Sequence, residues 1–492
     1  MVSGKEFIVA IELGSSKMTG IAGMKNLDGS INVLAVVKED SSSSIIRKGV
    51  VYNIDKTAQC LNNIVRKLQQ QLKTEITQVY VGVGGQSIRS VRNIITKNLP
   101  EGSTVTNYMV DELEDANRSS NNYPDQEILD AAVQEYRVDS QLQIDPVGIQ
   151  CTQLEGNFLN ILQRKTFFKK LNQCFENAGI NVADYYLAPL ALADSVLTEA
   201  EKRSGCALVD IGADTTTVSV YSKNILRHLA VIPLGGSNIT KDIASLQMEE
   251  SEAEKMKLKY ASAYTDNNDI DNSLHLPIDQ DRQVESRKFI EIVEGRLEEI
   301  IENVWYQIPN DYYDKLLGGI ILTGGGANMK NIEKAFQNHT HIDKIRIAKF
   351  VTQTITSTNE DIKSHNGMMN TVLGLLAKGE LNCAGGVYDP NGSLFDSPDK
   401  PTVPGDQRPP RQPGETPPGV VRSEAEKLKA EEEARKKKAE EERIAAEKEA
   451  QRLEEECKKK EEEERIRREN SRWNKFIKKV KKFGTDIVSE DE

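Results

Sequence analysis

Apolar and polar positions divide this chain into stretches of different character. From residue 7 to about 385, short apolar runs alternate with helix-like segments. Phe7–Ile11, Cys206–Val209 and Gly319–Leu322 are unbroken runs of strand length; the first two end on an acid two residues before a glycine, and the third on Thr323 and three glycines. From Asp389 to Pro418 the pattern stops: nine of the sixteen prolines lie there among Gly, Asp and Ser. Such a stretch cannot bury enough apolar surface to fold and reads as an extended linker. Residues 423–470 are almost wholly Glu, Lys, Arg and Ala, with Glu and Lys three or four positions apart, the spacing of a solvated helix. Leu428, Ile444, Leu453 and Ile466 are too sparse for sustained heptads. A single charged helix of about 70 Å is the preferred reading, with a weak coiled coil as the alternative.

The last pattern is helical again. Trp473, Phe476, Ile477, Val480 and Phe483 fall at i, i+3, i+4, i+7 and i+10, one face of a helix. Arg472, Lys475, Lys478, Lys479, Lys481 and Lys482 occupy the rest, and Ser471 is placed to cap it. A short basic helix with an aromatic apolar edge suits the surface of an anionic membrane, where each cation adds about 1 kcal/mol. Docking onto the globular body and a calmodulin-type target are the other readings. The Pro-rich run ahead of the helix argues against the first, and the second lacks a partner.

Within the globular region a single pattern occurs twice. Phe7-Ile8-Val9-Ala10-Ile11-Glu12-Leu13-Gly14-Ser15-Ser16-Lys17 is an apolar strand, an acid, an apolar residue, glycine and small hydroxyls. Cys206-Ala207-Leu208-Val209-Asp210-Ile211-Gly212-Ala213-Asp214-Thr215-Thr216 repeats it about 200 residues later. A second strand-like run follows each copy, so each forms a hairpin with the acid-x-glycine at its turn. Two such hairpins suggest a duplicated α/β domain with a cleft between its halves. A nucleoside triphosphate needs close backbone N–H groups, hydroxyl donors and a carboxylate for its Mg²⁺ shell. Gly14, Ser15, Ser16 and Lys17 supply this set on one side, and Gly212, Thr215 and Thr216 on the other. Glu12 and Asp210 are the acids suited to holding Mg²⁺ through water. One such hairpin alone would be only a tight turn; the pair carries the reading.

A third element is Gly319-Ile320-Ile321-Leu322-Thr323-Gly324-Gly325-Gly326-Ala327-Asn328, a buried-strand run ending in three glycines. Gly324, Gly325 and Gly326 would let a base and ribose lie against backbone at the carboxyl end of a strand. Gly82-Val83-Gly84-Gly85 looks similar and reads as a strand-ending bend. Walker A and GxGxxG phosphate motifs are absent.

These hairpins and the Thr-Gly-Gly-Gly segment, in this order, resemble the actin, hexokinase and Hsp70 ATPase superfamily, and within it the FtsA family of bacterial cell-division actin homologues. The similarity covers residues 5 to about 380. ALVDIGADTTTVSVYSKNILRHLAVIPLGGSNITKDIA matches the family's second phosphate hairpin with the strand and helix after it. VYVGVGGQSIRS and IDPVGIQCTQLEGNF resemble its inserted subdomain. The resemblance implies that Gly14, Ser15, Ser16 and Lys17 form the first phosphate motif and Asp210, Gly212 and Thr215 the second. It places Gly324, Gly325, Gly326 and Asn328 in the adenosine motif. Ala253-Glu254-x-x-Lys257 matches a helix whose acid and lysine lie near the ribose; read alone it is a solvated helix face.

The fold implied is an actin-like α/β ATPase with an inserted α+β subdomain. Its expected division is 1–83 with 166–205 as first subdomain, 84–165 as insert, 206–240 with 310–385 as second subdomain, and 241–309 as a small subdomain over the nucleotide. Linker 386–422, charged helix 423–470 and membrane helix 471–487 follow. The function implied is an ATP-binding, filament-forming adaptor on the cytoplasmic face of the bacterial plasma membrane at the division site. Its implied partners are FtsZ, other division proteins and further copies of itself. A PilM-like pilus assembly protein and a small-molecule kinase of the same superfamily are the rivals. Pilus proteins of that kind normally lack a long charged tail.

Three departures from the family pattern bear on the chemistry. Glu12 stands where the family has Asp. Ala213 and Asp214 replace two turn glycines, and Asp214 could repel phosphate unless it points away or helps hold a cation. Ala188 stands where related polymerising ATPases carry an acid that positions water. ATP binding with weak or no hydrolysis is therefore expected.

Composition sets limits on these readings. A formal charge of −12 argues against a nucleic-acid partner. Six scattered cysteines without CxxC spacing imply neither a disulfide frame nor a zinc site. The N-terminus lacks the layout of a signal peptide. No apolar stretch approaches the length needed to span a membrane. His339 and His341 read as a polar loop, and Met368 and Met369 as core.

Overall fold

The computed structural model describes residues 6–120, 123–271, 273–279, 281–387 and 419–421. The Pro-rich run, the charged helix and the basic amphipathic helix with Trp473, Phe476, Ile477, Val480, Phe483, Lys475, Lys478 and Lys479 lie outside the described residues. Among the described residues, no helix is long and apolar enough to cross a membrane.

The first half opens with strands β1 (Ile8–Leu13), β2 (Lys17–Lys25) and β3 (Ile31–Asp40), a small hairpin of β4 (Ile46–Arg47) and β5 (Val50–Val51), and helix α1 (Ile54–Leu72). Strands β6 (Thr74–Ile76) and β7 (Val79–Val83) follow. An excursion then forms β8 (Arg89–Asn98), α2 (Asn107–Ser119), β9 (Gln126–Val138), β10 (Gln141–Gln143) and β11 (Gln153–Arg164). Helix α3 (Lys165–Ala178), β12 (Val182–Leu187), α4 (Ala188–Val196) and α5 (Glu199–Ser204) complete that half.

The second half contains β13 (Cys206–Ile211), β14 (Thr216–Ser222), β15 (Ile225–Ile232), α6 (Gly236–Ala244), α7 (Glu250–Tyr260), a hairpin of β16 (His275–Pro277) and β17 (Gln283–Glu285), and α8 (Ser286–Gln307). It continues with β18 (Gly319–Thr323), α9 (Ile332–Thr340) and β19 (Ile345–Ile347). The chain then returns to the first half with β20 (Ile355–Thr356), α10 (Glu360–Lys363), α11 (Asn370–Lys378) and β21 (Ala384–Val387), and contributes β22 (Val420–Val421).

The two halves share one topology, and this is the duplication that the repeated hairpins predict. In the first sheet the order β3-β2-β1-β7-β12 places three antiparallel strands beside two parallel additions. The second sheet repeats it as β15-β14-β13-β18-β19. The central strands β1, β7, β13 and β18 are covered on both faces, which accounts for their unbroken apolar runs. Helix α1 shows the complementary pattern: Leu61, Ile64, Val65 and Leu68 recur at helical spacing and are buried.

The excursion has a core of its own, with Leu99, Val105, Leu113, Tyr136, Leu154 and Phe158 packed together. Its sheet order β10-β9-β11-β8 joins the second sheet where Arg89 of β8 pairs with Ala230 of β15. One large core underlies the first half and takes in Cys206, Leu208, Tyr221 and Ile321 from one face of the second sheet, while another lies on that sheet's opposite face with Ala207, Val209 and Ile320.

One expectation is corrected. The linker reading of residues 386–422 fails at both ends of that range. Residues 384–387 pair with β6, and Val420 and Val421 pair antiparallel with β12. Valine suits a strand, and the outer edge of β12 offers backbone groups that need partners.

Candidate functional site

Each predicted hairpin turns at the carboxyl end of a central strand. In the first, Glu12 pairs with Thr19 and Leu13 with Met18, leaving Gly14, Ser15 and Ser16 as the turn and Lys17 exposed at its exit. A Cβ on Gly14 would lie 2.5 Å from the Lys17 carbonyl oxygen, so the turn closes only around glycine. In the second, Asp210 pairs with Thr217 and Ile211 with Thr216, and the Gly212 N–H donates to the Thr215 carbonyl at 2.9 Å. Thr216 departs from expectation. It is fully buried and its hydroxyl donates to the Leu234 carbonyl at 2.9 Å, so that proton is not offered to a ligand.

The two acids are brought together electrostatically. Burial pushes Glu12 up to about 8, the charge of Asp210 adds to this, and the Lys38 ammonium opposes it. Burial pushes Asp210 up to about 6. Two carboxylates whose ionised forms are both disfavoured are suited to an oxygen-loving divalent cation, which would reverse the penalty. Among the described residues no group of three or more His, Cys, Asp or Glu forms a ready-made metal cage. Two carboxylates are the kind of oxygen donor that a largely hydrated divalent cation takes.

Asp214 does not face the turn. Its Oδ2 accepts a hydrogen bond from the Lys48 backbone N–H at 3.2 Å, on the loop between β4 and β5 of the other half. Beside it, Ser15 Oγ accepts from the Gly49 N–H at 2.9 Å. Asp214 thus links the halves, its side-chain carboxylate to the main chain at Lys48. Lys48 and Gly49 carried no sequence signal beyond a polar turn.

The glycine-rich segment follows β18. Gly324 has φ of +85°, and a Cβ there would collide with Asp210 Oδ1 and the Ile211 carbonyl. Gly325 and Gly326 open a short 3-10 turn, Gly325–Asn328, with Gly326 packed on Ile211. The Asn328 amide donates to the Asn366 carbonyl at 2.7 Å, which commits this predicted contact residue to closing the loop. Met368 and Met369 divide: Met369 is buried, whereas Met368 is half exposed beside Gly325.

Of Glu254 and Lys257, the lysine is drawn in from the solvated face and the glutamate stays partly exposed. Lys257 Nζ lies 2.7 Å from Glu254 Oε2, and its side chain is only 12% exposed. It donates to the Gly236 carbonyl at 3.0 Å and to Thr240 Oγ1 at 2.8 Å, and Thr240 donates to Glu254 at 2.5 Å. The α6 start is itself fastened to the second hairpin. The Gly236 N–H donates to the Gly212 carbonyl at 3.0 Å and the Ser237 N–H to Ala213 at 2.7 Å. Sequence reading missed Gly235, Gly236 and Thr240; a Gly-Gly pair just ahead of a helix was the available signal.

Ala188 begins α4, beside Gly82 of β7. His339 lies in the last turn of α9 and His341 caps it, so the expected polar loop is a helix end. The described cysteines are all free.

Two half-domains of one topology, each with an acid-x-glycine hairpin on its central strand, and an insert within the first half define an actin-like ATPase fold. A solved chain of a PilM–PilN type IV pilus biogenesis complex shares this fold, with a TM-score of 0.52 at 14% identity over 75% of this chain and 97% of that one. Sequence comparison then sets the family. The model of cell division protein FtsA matches residues 207–369, and that of the SHS2 domain inserted in FtsA matches 85–162. Cell division protein FtsA of Porphyromonas gingivalis is 32% identical over 368 residues, covering 73% of this chain and 76% of the relative. Its counterpart in Neisseria meningitidis serogroup B is 33% identical over 339 residues, covering 68% and 81%. The chain belongs to the FtsA family of cell division proteins.

Proposed function

We propose that this protein binds ATP with Mg²⁺ in the cleft, assembles into filaments with further copies of itself, and tethers FtsZ to the cytoplasmic face of the membrane at the division site. The observation that carries the nucleotide reading is the pairing of Glu12 and Asp210. Each ends a central strand of one half, each is held above its ordinary range by burial, and Asp210 raises Glu12 further. In this reading Gly14, Ser15, Ser16 and Lys17 with Gly212 and Thr215 meet the phosphates. Glu254 and Lys257 flank the ribose, Gly324, Gly325 and Gly326 lie against the adenosine, and Asn328 holds that loop. The nucleotide would add negative charge that draws both halves onto one cation.

Hydrolysis is weak or absent, because Ala188 supplies no group to orient an attacking water. FtsZ, filament formation, other division proteins and the division-site location rest on family membership. The membrane role rests on the sequence of the tail, which carries an apolar edge beside six cations between Arg472 and Lys482.

Equilibrium binding of ATP to the full chain tests the cleft. Asp210→Asn is expected to weaken Mg-dependent binding at least tenfold with little effect on metal-free binding. Equal affinities with and without Mg²⁺ would sink the reading. Flotation with acidic vesicles tests the tail: the full chain should float, and a chain ending at Asn470 or carrying Trp473→Glu with Phe476→Glu should not.

A further inference from the structure

We propose that the outer edge of β12 is a strand-addition site occupied by the chain's own Gly419-Val420-Val421, so that the C-terminal extension leaves the body there and not at β21. A sheet edge left open presents unpaired N–H and C=O groups that invite pairing with any extended segment. Here the edge is closed in three ways. Tyr185 pairs with Val421 and Tyr186 with Val420 in antiparallel register, and the Leu187 N–H donates to the Gly419 carbonyl at 2.6 Å. The Gly419 N–H donates to Asp130 Oδ2 at 2.9 Å, on β9 of the insert. Gly419 has φ of +91°, a conformation that favours glycine, and a Cβ there would come within 3.3 Å of Leu190. Three residues thus engage both the first sheet and the insert.

About thirty residues separate Val387 from Gly419. Fully extended, such a run spans up to about 100 Å. With the strap in place the reach of the tail is counted from Val421 and not from Val387. Any tension on the tail enters through β12 and Asp130, next to the strand end that leads into Ala188. The consequence for reach rests on the membrane function proposed above; the strap itself does not.

Hydrogen exchange on the full chain tests the strap without lipid. Gly419→Pro removes the N–H that Asp130 accepts and fixes φ near −65°, which the observed backbone cannot adopt. Exchange at the Leu187 amide should rise at least tenfold, with β1 and β7 amides unchanged. Asp130→Ala should shift Leu187 in the same direction by a smaller factor. Unchanged Leu187 exchange in both variants would overturn the proposal. So would protection that disappears on dilution, since the occupant would then be a second copy. On acidic vesicles, inserting about twenty Gly-Ser residues after Gly392 should leave the body-to-membrane spacing unchanged in the parent and increase it in Gly419→Pro. Spacing that grows with the insertion in the parent would overturn the strap. If the parent does not bind vesicles, the membrane function fails and the exchange result still decides the strap.

Discussion

Glu12→Gln is the sharpest test of the cleft electrostatics. Glu12 has an ordinary value of 4.5 and is held at about 8 in the fold. Its folded value lies above its unfolded one, so the folded chain retains a proton that the unfolded chain has released. Stability from this source is therefore lost as pH rises from about 4.5 to about 8, and is constant above that. At about 1.4 kcal/mol per unit the full penalty is about 5 kcal/mol. Glu12 keeps some solvent contact, and screening brings the expected value to about 2 kcal/mol. Glutamine has the same shape and no charge at any pH. The variant should match the parent near pH 4.5 and become more stable by about 2 kcal/mol at pH 8.5, a rise of a few degrees in melting midpoint. Mg²⁺ with ATP should narrow or reverse that gap, because only the parent can offer the second carboxylate. Melting curves at five pH values, with and without Mg-ATP, measure both effects. Parent and variant midpoints that run parallel from pH 5 to 8.5 would refute the assignment of Glu12 as a buried partner of Asp210.

Three further outcomes are expected. Gly324→Ala puts a Cβ onto Asp210 Oδ1 at positive φ, and should cost about 2–4 kcal/mol by denaturant melting and weaken ATP binding. Arg346→Ala removes the guanidinium that donates to both Glu201 oxygens, at 2.6 and 2.8 Å. Burial pushes Glu201 up, yet hydrogen bonds from Arg346 and Thr198 hold it down to about 2. That stability is present above pH 4.5 and lost as pH falls through about 2, so the variant should lose about 2–3 kcal/mol at pH 7 and progressively less as pH falls toward 2. Asp214→Ala breaks the link to the Lys48 N–H and should lower stability by about 1 kcal/mol while raising the rate of nucleotide release, measured by stopped-flow displacement.

Much of the fold could be read from the chain because it is written locally and twice. An apolar run, an acid and a turn glycine specify strand, end and bend from nearest-neighbour sterics alone, which is why both hairpins and the Gly324 turn stand where the pattern put them. The roles of Thr216 and Asn328 were not legible. Whether a hydroxyl or an amide faces a ligand depends on which carbonyl lies opposite, and Leu234 and Asn366 come from other segments of the chain. The same holds for Asp214: its charge suggested repulsion of phosphate, and only the proximity of Lys48, 166 residues away, turns it toward the other half.

By itself, then, the sequence determined the elements, the duplication, the family and the chemical character of the cleft, since periodicity and glycine placement act over a few residues. The tertiary structure alone decided that the Asp210 charge acts on Glu12, how Glu254 and Lys257 are fixed to α6, and where Gly419-Val420-Val421 seats. Those are pairings between distant segments, set by burial and by backbone groups seeking partners, and no local pattern encodes them.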